Sequence, residues 1–201
     1  MNMRLRTNFA RFLPLATLIL LLSVALTAAA QESDELQREE PVDSIVEQSR
    51  EILQFGIDSE VMDLLDRLSD QSEGRLDAEV LTRFSETRNT RLQIRILEFF
   101  QERDVDIAGE AVQAILLSEE DRLGNDFLRV AVRYLTQVAD IRSAELLERY
   151  RTIARDEDLI TGSVAIEAIG LQGGEDAIAV LMELYDKLTA TELRGAVVRA
   201  L

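Results

Sequence analysis

Between Pro41 and Leu201, apolar positions recur at three- and four-residue steps, in runs of about 11 to 15 residues ended by short polar or glycine-bearing turns. That spacing predicts helices throughout. The stretch ITGSVAIEAIGLQGGEDAIAVLMELYDKL, Ile160 to Leu188, shows the pattern most clearly. Val164, Ala165, Ala168 and Ile169 share one face of a first helix, with Glu167 on the other. Gly173 and Gly174 end that helix, because glycine takes left-handed backbone without a steric penalty. Glu175 and Asp176 open the next helix, where acids complement the positive end of the dipole. Its expected core face is Ile178, Leu181, Met182, Tyr185 and Leu188. Such a pair has apolar surface on more than one side and needs neighbours to bury it.

The rest of the chain supplies them. A helix is predicted from Asp43 to Phe55, with Asp43 or Ser44 as N-cap and Ile45, Ile52, Leu53 and Phe55 apolar, closed by Gly56. The next begins after Asp58 and carries Val61, Leu64, Leu65 and Leu68. Residues 70–75 form a loop, and a short helix from Asp77 to Ser85 uses Val80, Leu81 and Phe84. Paired helices follow: Thr90 to Gln101, with Leu92, Ile96, Phe99 and Phe100 inward, and Asp106 to Leu117; then Asp126 to Val138 and Arg142 to Ala154. After Ile160 to Leu188, Thr191 to Leu201 begins another helix of the first kind.

Phe99, Leu135, Ile169 and Leu201 hold one place in the first helices, 36, 34 and 32 residues apart. Val112, Leu147 and Leu181 recur in the second helices at 35 and 34. A period kept by both helix types points to a repeat array. A coiled coil needs unbroken heptads, which the turns at 56–58, 103–106, 139–142 and 172–175 interrupt. A closed helical bundle uses the same amphipathic helices but requires no fixed period. Thr191 to Leu201 has an apolar face and no partner helix in sequence, so a further segment is expected to cover it, with the array continuing past Leu201 as one way.

A two-helix unit of this length resembles the HEAT family, and more closely its shorter bacterial HEAT-like variants. TELRGAVVRAL places Leu193 and Arg194 at that family's apolar and arginine positions. AIEAIGLQGGEDAIAVL matches the small-residue, glycine and second-helix positions through Ala165, Ala168, Ile169, Gly170, Gly174, Ala177, Ile178 and Leu181. There are departures. Gly162 stands where the arginine would be in its pair, Phe99 and Phe100 replace smaller residues, and no glycine follows Val138. The tetratricopeptide pattern, of equal length, is absent.

The resemblance implies an all-α fold, a right-handed α-α superhelix of antiparallel helix pairs over residues 43–201. It also implies that the second helices line a concave face. Outward positions there would be Glu110, Gln113, Glu145, Glu148, Arg149, Glu183 and Asp186. Their mostly acidic character suggests a basic or polar protein partner, against the plainer reading of a solvated face. HEAT-like repeats also occur in bilin lyases, an enzymatic alternative; an architectural module of a longer envelope protein is another.

The N-terminus differs in kind. Arg4, Arg6 and Arg11 precede an apolar run from Phe12 to Thr27, Ala28 to Ala30 give a small-x-small site, and no acid occurs before Glu32. This is the layout of a secretory signal peptide over residues 1–30, cleaved after Ala30. As an uncleaved anchor, the run of about 16 residues falls short of the ~20 that span a bilayer. The acidic stretch 31–42 reads as a flexible lead-in. The expected address is periplasmic or secreted, with no membrane insertion after cleavage.

Losing the three leader arginines would take the net charge from −16 to −19. That opposes nucleic acid, which demands a basic footprint. Without histidine or cysteine, zinc fingers, haem attachment, Ser-His-Asp triads and cysteine nucleophiles are excluded. The one lysine, Lys187, has no Walker loop before it. GLQGG at 170–174 follows a helix instead of a strand and reads as a C-cap, not a phosphate loop. Asp156, Asp158 and Glu167 match positions 1, 3 and 12 of a calcium loop, but Ile160 and Thr161 spoil positions 5 and 6. The acid clusters Glu39–Glu40, Glu119–Asp121 and Glu175–Asp176 sit in turns or the lead-in, where solvated charge is expected. Tyr150 and Tyr185 are assigned to packing, with the phenol reaching the surface. No catalytic, cofactor-binding or metal site is expected, and the reading is of a non-enzymatic interaction scaffold.

Overall fold

The computed structural model describes residues 42–69, 74–118, 123–156 and 158–201, and every regular element among them is helical. The signal peptide, nearly all of the acidic lead-in, and the clusters at Glu39–Glu40 and Glu119–Asp121 lie outside the described residues. By its packing the chain divides into Met1–Glu47 and Gln48–Leu201; the architecture below is that of the second unit.

Ten helices run in order among the described residues. They are α1 (Val42–Phe55), α2 (Asp58–Leu68), α3 (Asp77–Glu86), α4 (Thr90–Glu102), α5 (Gly109–Leu117), α6 (Asn125–Gln137), α7 (Ala144–Asp156), α8 (Leu159–Gln172), α9 (Gly174–Lys187) and α10 (Thr191–Ala200). A single 3₁₀ turn, Gly74–Leu76, precedes α3 where a loop was expected. The helix starts have local causes. Asn89 caps α4 by accepting from Arg91 N–H, and Asp158 caps α8 by accepting from Ile160 and Thr161 N–H. Ser143 Oγ accepts from Leu146 N–H before the first turn of α7. The predicted cap at Asp43 or Ser44 is displaced, because α1 already begins at Val42.

Helix ends use two devices. Gly173 and Gly174 both take positive φ, 68° and 83°, as the GLQGG reading requires. Where glycine is missing, aspartate substitutes: Asp104 (φ 54°) and Asp140 (φ 44°) hold the left-handed position after α4 and α6. The chain then folds back, with Val105 N–H donating to Phe100 O and Ile141 N–H to Leu135 O. This moves the start of α5 from Asp106 to Gly109.

The even-numbered helices form one row, α2 on α4, α4 on α6, α6 on α8 and α8 on α10. Helices α5, α7 and α9 form a second row, and α3, α5, α7 and α9 each pack on the even helix that follows. Equivalent side chains fill the space between rows at near-constant spacing. Leu92, Phe127, Thr161 and Leu193 share one slot; Ile96, Ala131, Ala165 and Val197 share the next; all are buried. Phe100, Leu135 and Ile169 continue a third, which puts Phe100 and not Phe99 in register with Leu135. Burial of this kind contributes about 25 cal/mol per Å² of apolar surface. Thr161 is the polar member of its slot. Its hydroxyl donates to Asp158 Oδ2 (2.8 Å) and accepts from Arg129 Nη1 (3.2 Å), so no bond is lost by burying it.

Helix α8 has neighbours on most sides, and Ile166 is buried along with Val164, Ala165, Ala168 and Ile169. Two glycines let α8 lie close to its neighbours. A Cβ on Gly170 would stand 2.8 Å from Ala200 O, and one on Gly162 would stand 3.2 Å from Ala154 O. That is why glycine replaces the expected arginine at position 162.

Several apolar expectations fail. The inward stripe of α9 is Ala177, Leu181 and Leu184, while Ile178 and Met182 are each 53% exposed. They lie a step round the helix from that stripe, on a side no described helix covers. Ile45, Phe55 (73% exposed) and Leu201 also face solvent. In α7, Leu146 takes the slot given to Leu147. Tyr150 is fully buried with no partner for its hydroxyl, so the phenol does not reach the surface.

Candidate functional site

The candidate face is the outer side of α5, α7 and α9, the row whose inner side carries Val112 and Leu116, Leu146 and Tyr150, and Leu181 and Leu184. Helical spacing sends residues about two positions from that stripe outward. Glu110, Glu145, Glu148 and Asp186 are exposed as expected. Gln113, Arg149 and Glu183 are half-buried.

Two arginines account for two of these three, Arg149 and Glu183. Arg149 Nε donates to Leu116 O at 3.0 Å, tying α7 to a carbonyl of the last turn of α5. A guanidinium is well matched to such a carbonyl, which carries the negative end of the helix dipole. Arg151 reaches the other way. It pairs with Glu148 at 3.0 Å within α7 and with Glu183 at 3.3 Å across to α9. Lys187 Nζ lies 2.5 Å from the other oxygen of Glu183. The Lys187 ammonium, helped by the charge of Arg151, holds the Glu183 carboxyl below the usual carboxylate range. Four of the charges on this face therefore form one chain, Glu148–Arg151–Glu183–Lys187, that neutralises itself.

What stays available is smaller than the sequence suggested. Glu110 and Asp186 make no ion pair with a described residue. The Glu145 carboxyl is held low by its own backbone N–H and then the Ser143 hydroxyl, as expected at the first turn of α7. The face is of mixed charge, and its acids that can meet a partner are Glu110, Glu145 and Asp186. Sequence reasoning missed Arg151 and Lys187. Their signals were present: Glu148 to Arg151 is an i,i+3 pair, Glu183 to Lys187 an i,i+4 pair, and Arg151 to Glu183 is close to one repeat.

Elsewhere, side chains that might have suggested chemistry have structural roles. Asp158 of the would-be calcium loop is used up as a cap, and Thr161 N–H followed by the Thr161 hydroxyl keeps its carboxyl low. Among the described residues no three histidine, cysteine, aspartate or glutamate side chains converge as a metal site. Tyr134 is buried, donates to Val105 O at 2.8 Å and accepts from Ala108 N–H at 3.1 Å. Burial pushes its phenol up to about 12, which suits a permanent strut between α6 and the turn before α5. Glu175 and Asp176 are exposed in the first turn of α9. A cleft of about 490 Å³ between α8 and α10 is lined by Ser163, Glu167, Gly170, Ala196 and Arg199. Its small residues reflect the close approach of the two helices, and no reactive group is buried in it. Among the described residues, no helix is long and apolar enough to cross a membrane.

The chain matches no protein-family model, no curated protein and no solved structure.

Proposed function

We propose that the chain is an exported, non-enzymatic scaffold of HEAT-like helix pairs wound as a right-handed α-α superhelix, offering the outer face of α5, α7 and α9 to a basic protein partner. The observation that carries this reading is the stacking of alternate helices, α2 to α10 in one row and α5 to α9 in another, with equivalent slots about 34 residues apart. Stacked rows of this kind expose one extended strip of side chains, which repeat proteins use for recognition. The free acids Glu110, Glu145 and Asp186 supply the charge on that strip, while Arg149 and Arg151 hold the three helices in register. Export by the leader at 1–30 gives the scaffold an envelope address.

Affinity capture from envelope extracts followed by mass spectrometry tests the proposal. Reversing Glu110, Glu145 and Asp186 together to arginine is expected to weaken capture of a basic partner by about tenfold or more, and added salt to weaken it in the parent chain. Glu148 and Glu183 are left alone, because changing them would uncouple α7 from α9. Unchanged capture by the reversed chain, with circular dichroism intact, retires the assignment of this face.

A further inference from the structure

Along the row from α4 to α10, one position alternates in charge. Two residues past the inward slot of Ile96, Ala131, Ala165 and Val197 stand Glu98, Arg133, Glu167 and Arg199. A two-residue step turns a helical side chain through about 200°, away from the second row. That flank is open inside the row as well, since Arg133 on α6 is exposed although α4 and α8 pack on either side. Between α8 and α10 the flank opens into the cleft of about 490 Å³. The room has a cause in the sequence. Between α6 and α8 the groove is crossed by Arg129, which reaches Thr161 Oγ1 at 3.2 Å and Asp158 at 3.7 Å. One repeat later, 34 residues on, Ser163 stands in place of Arg129 and Gly170 in place of Thr136. Glu167 and Arg199 line the cleft, both are exposed, and neither makes a hydrogen bond or ion pair with a described residue. Leu171, 47% exposed, and Ala196 supply apolar wall.

We propose that this cleft binds a small zwitterion with an apolar side chain, a free amino acid or a dipeptide. Its ammonium meets Glu167, its carboxylate meets Arg199, and its side chain lies against Leu171 and Ala196. The volume falls within the range of small-ligand sites, about 300–1,000 Å³. A guanidinium offers a carboxylate two parallel N–H bonds, and an ammonium gives Glu167 a charge-assisted partner. The Ser163 hydroxyl adds a polar group one turn from Glu167. The charges favour this ligand class over its rivals. A simple anion satisfies Arg199 alone and meets a chain of net charge −16. A simple cation satisfies Glu167 and opposes Arg199. A neutral apolar ligand would desolvate both charges and pair neither. A zwitterion answers both walls and carries no net charge. The cleft lies on the other side of the row from α5, α7 and α9, so its occupancy does not depend on a partner bound there.

Titration of the full chain with L-leucine and with alanylleucine, followed at the Gly170 amide in proton–nitrogen correlation spectra, reads the outcome. At least one probe is expected to shift that signal saturably, with a dissociation constant below about 1 mM. Which of the two saturates tells a free amino acid from a dipeptide. Isocaproate, which lacks the ammonium, and isoamylamine, which lacks the carboxylate, are expected to bind about tenfold more weakly or worse. Glu167→Gln and Arg199→Gln are each expected to raise the constant about tenfold or more, with circular dichroism intact. Ser163→Arg, which restores the side chain that α6 carries, is expected to abolish the shift in a chain that still folds. No saturable shift with either probe, single-charge analogues that bind as well as the zwitterions, or binding unchanged in the two charge variants overturns the proposal.

Discussion

Helices α2 and α10 lie at opposite ends of the same row and treat their apolar residues differently. Along Asp58–Leu68, Val61, Leu64 and Leu65 are buried and no large apolar side chain is exposed. Along Thr191–Ala200, Leu193, Ala196 and Val197 are buried against α8, but Val198 is open, as are Ile178 and Met182 on the adjoining α9. Composition does not separate the two helices, since both carry a three- and four-residue apolar stripe. Each packs on one neighbour within the row, α2 on α4 and α10 on α8, so the difference lies in where the apolar side chains stand around each helix. In a stacked array each unit supplies half of a neighbour's core, so a side chain is stabilising only where a neighbour packs on it.

Substituting the same slot in two places breaks or sharpens this contrast most strongly. Ile166→Ala removes a fully buried side chain from α8 and is expected to cost about 2–5 kcal/mol in urea unfolding. Val198→Ala, one repeat later, is expected to change chain stability by no more than about 0.5 kcal/mol when measured dilute. Equal losses would mean that α10 is covered after all.

The two buried tyrosines give a smaller effect of mixed sign. Tyr134→Phe leaves Ala108 N–H and Val105 O without their partner and is expected to cost about 1–3 kcal/mol. Tyr150→Phe removes a hydroxyl that is buried without a partner, so it is expected to be neutral or to stabilise by about 1 kcal/mol. Loss of stability in Tyr150→Phe would reveal a partner for that hydroxyl. Burial raises both phenols. A spectrophotometric titration should therefore find them protonated above pH 10, ionising only as the chain opens.

The weakest effect is acidic. Asp158 and Glu183 have carboxyls lowered from ordinary values of 3.8 and 4.5, the first by Thr161 and the second by Lys187. For a lowered carboxyl, the contribution to stability is fully present above the unfolded value and disappears as pH falls through the folded one. Thermal midpoints should thus decline below about pH 4.5, and less steeply in Asp158→Asn with Glu183→Gln. An unchanged slope would show that neither pair matters to folding.

Much of the fold was legible in local pattern. The helices from Thr90 onward appear within three residues of their expected bounds, because apolar spacing, Asn89 and Asp158 as caps, and Gly173 with Gly174 all act within a turn of the chain. The turns expected at 103–106 and 139–142 are present, and in each an aspartate, Asp104 or Asp140, takes the left-handed position that glycine holds after α8. The candidate face was legible only in outline. Glu110, Glu145, Glu148 and Asp186 are outward as expected, but Arg149 is spent on Leu116 O and Glu183 on Arg151 and Lys187. A side chain's own spacing says which way it points and nothing about the cation that arrives from the next repeat.

By itself, the sequence determined that the described residues are helical and, to within about three residues from Thr90 onward, where those helices start and stop, since these depend on contacts three to five residues apart. The tertiary structure alone decided which apolar residues are core. Leu184 is buried and Met182 is not, Ile166 is buried and Val198 is not, although each pair reads alike in sequence. Burial belongs to the space between helices, and that space exists only once a neighbour some 34 residues away has packed against it.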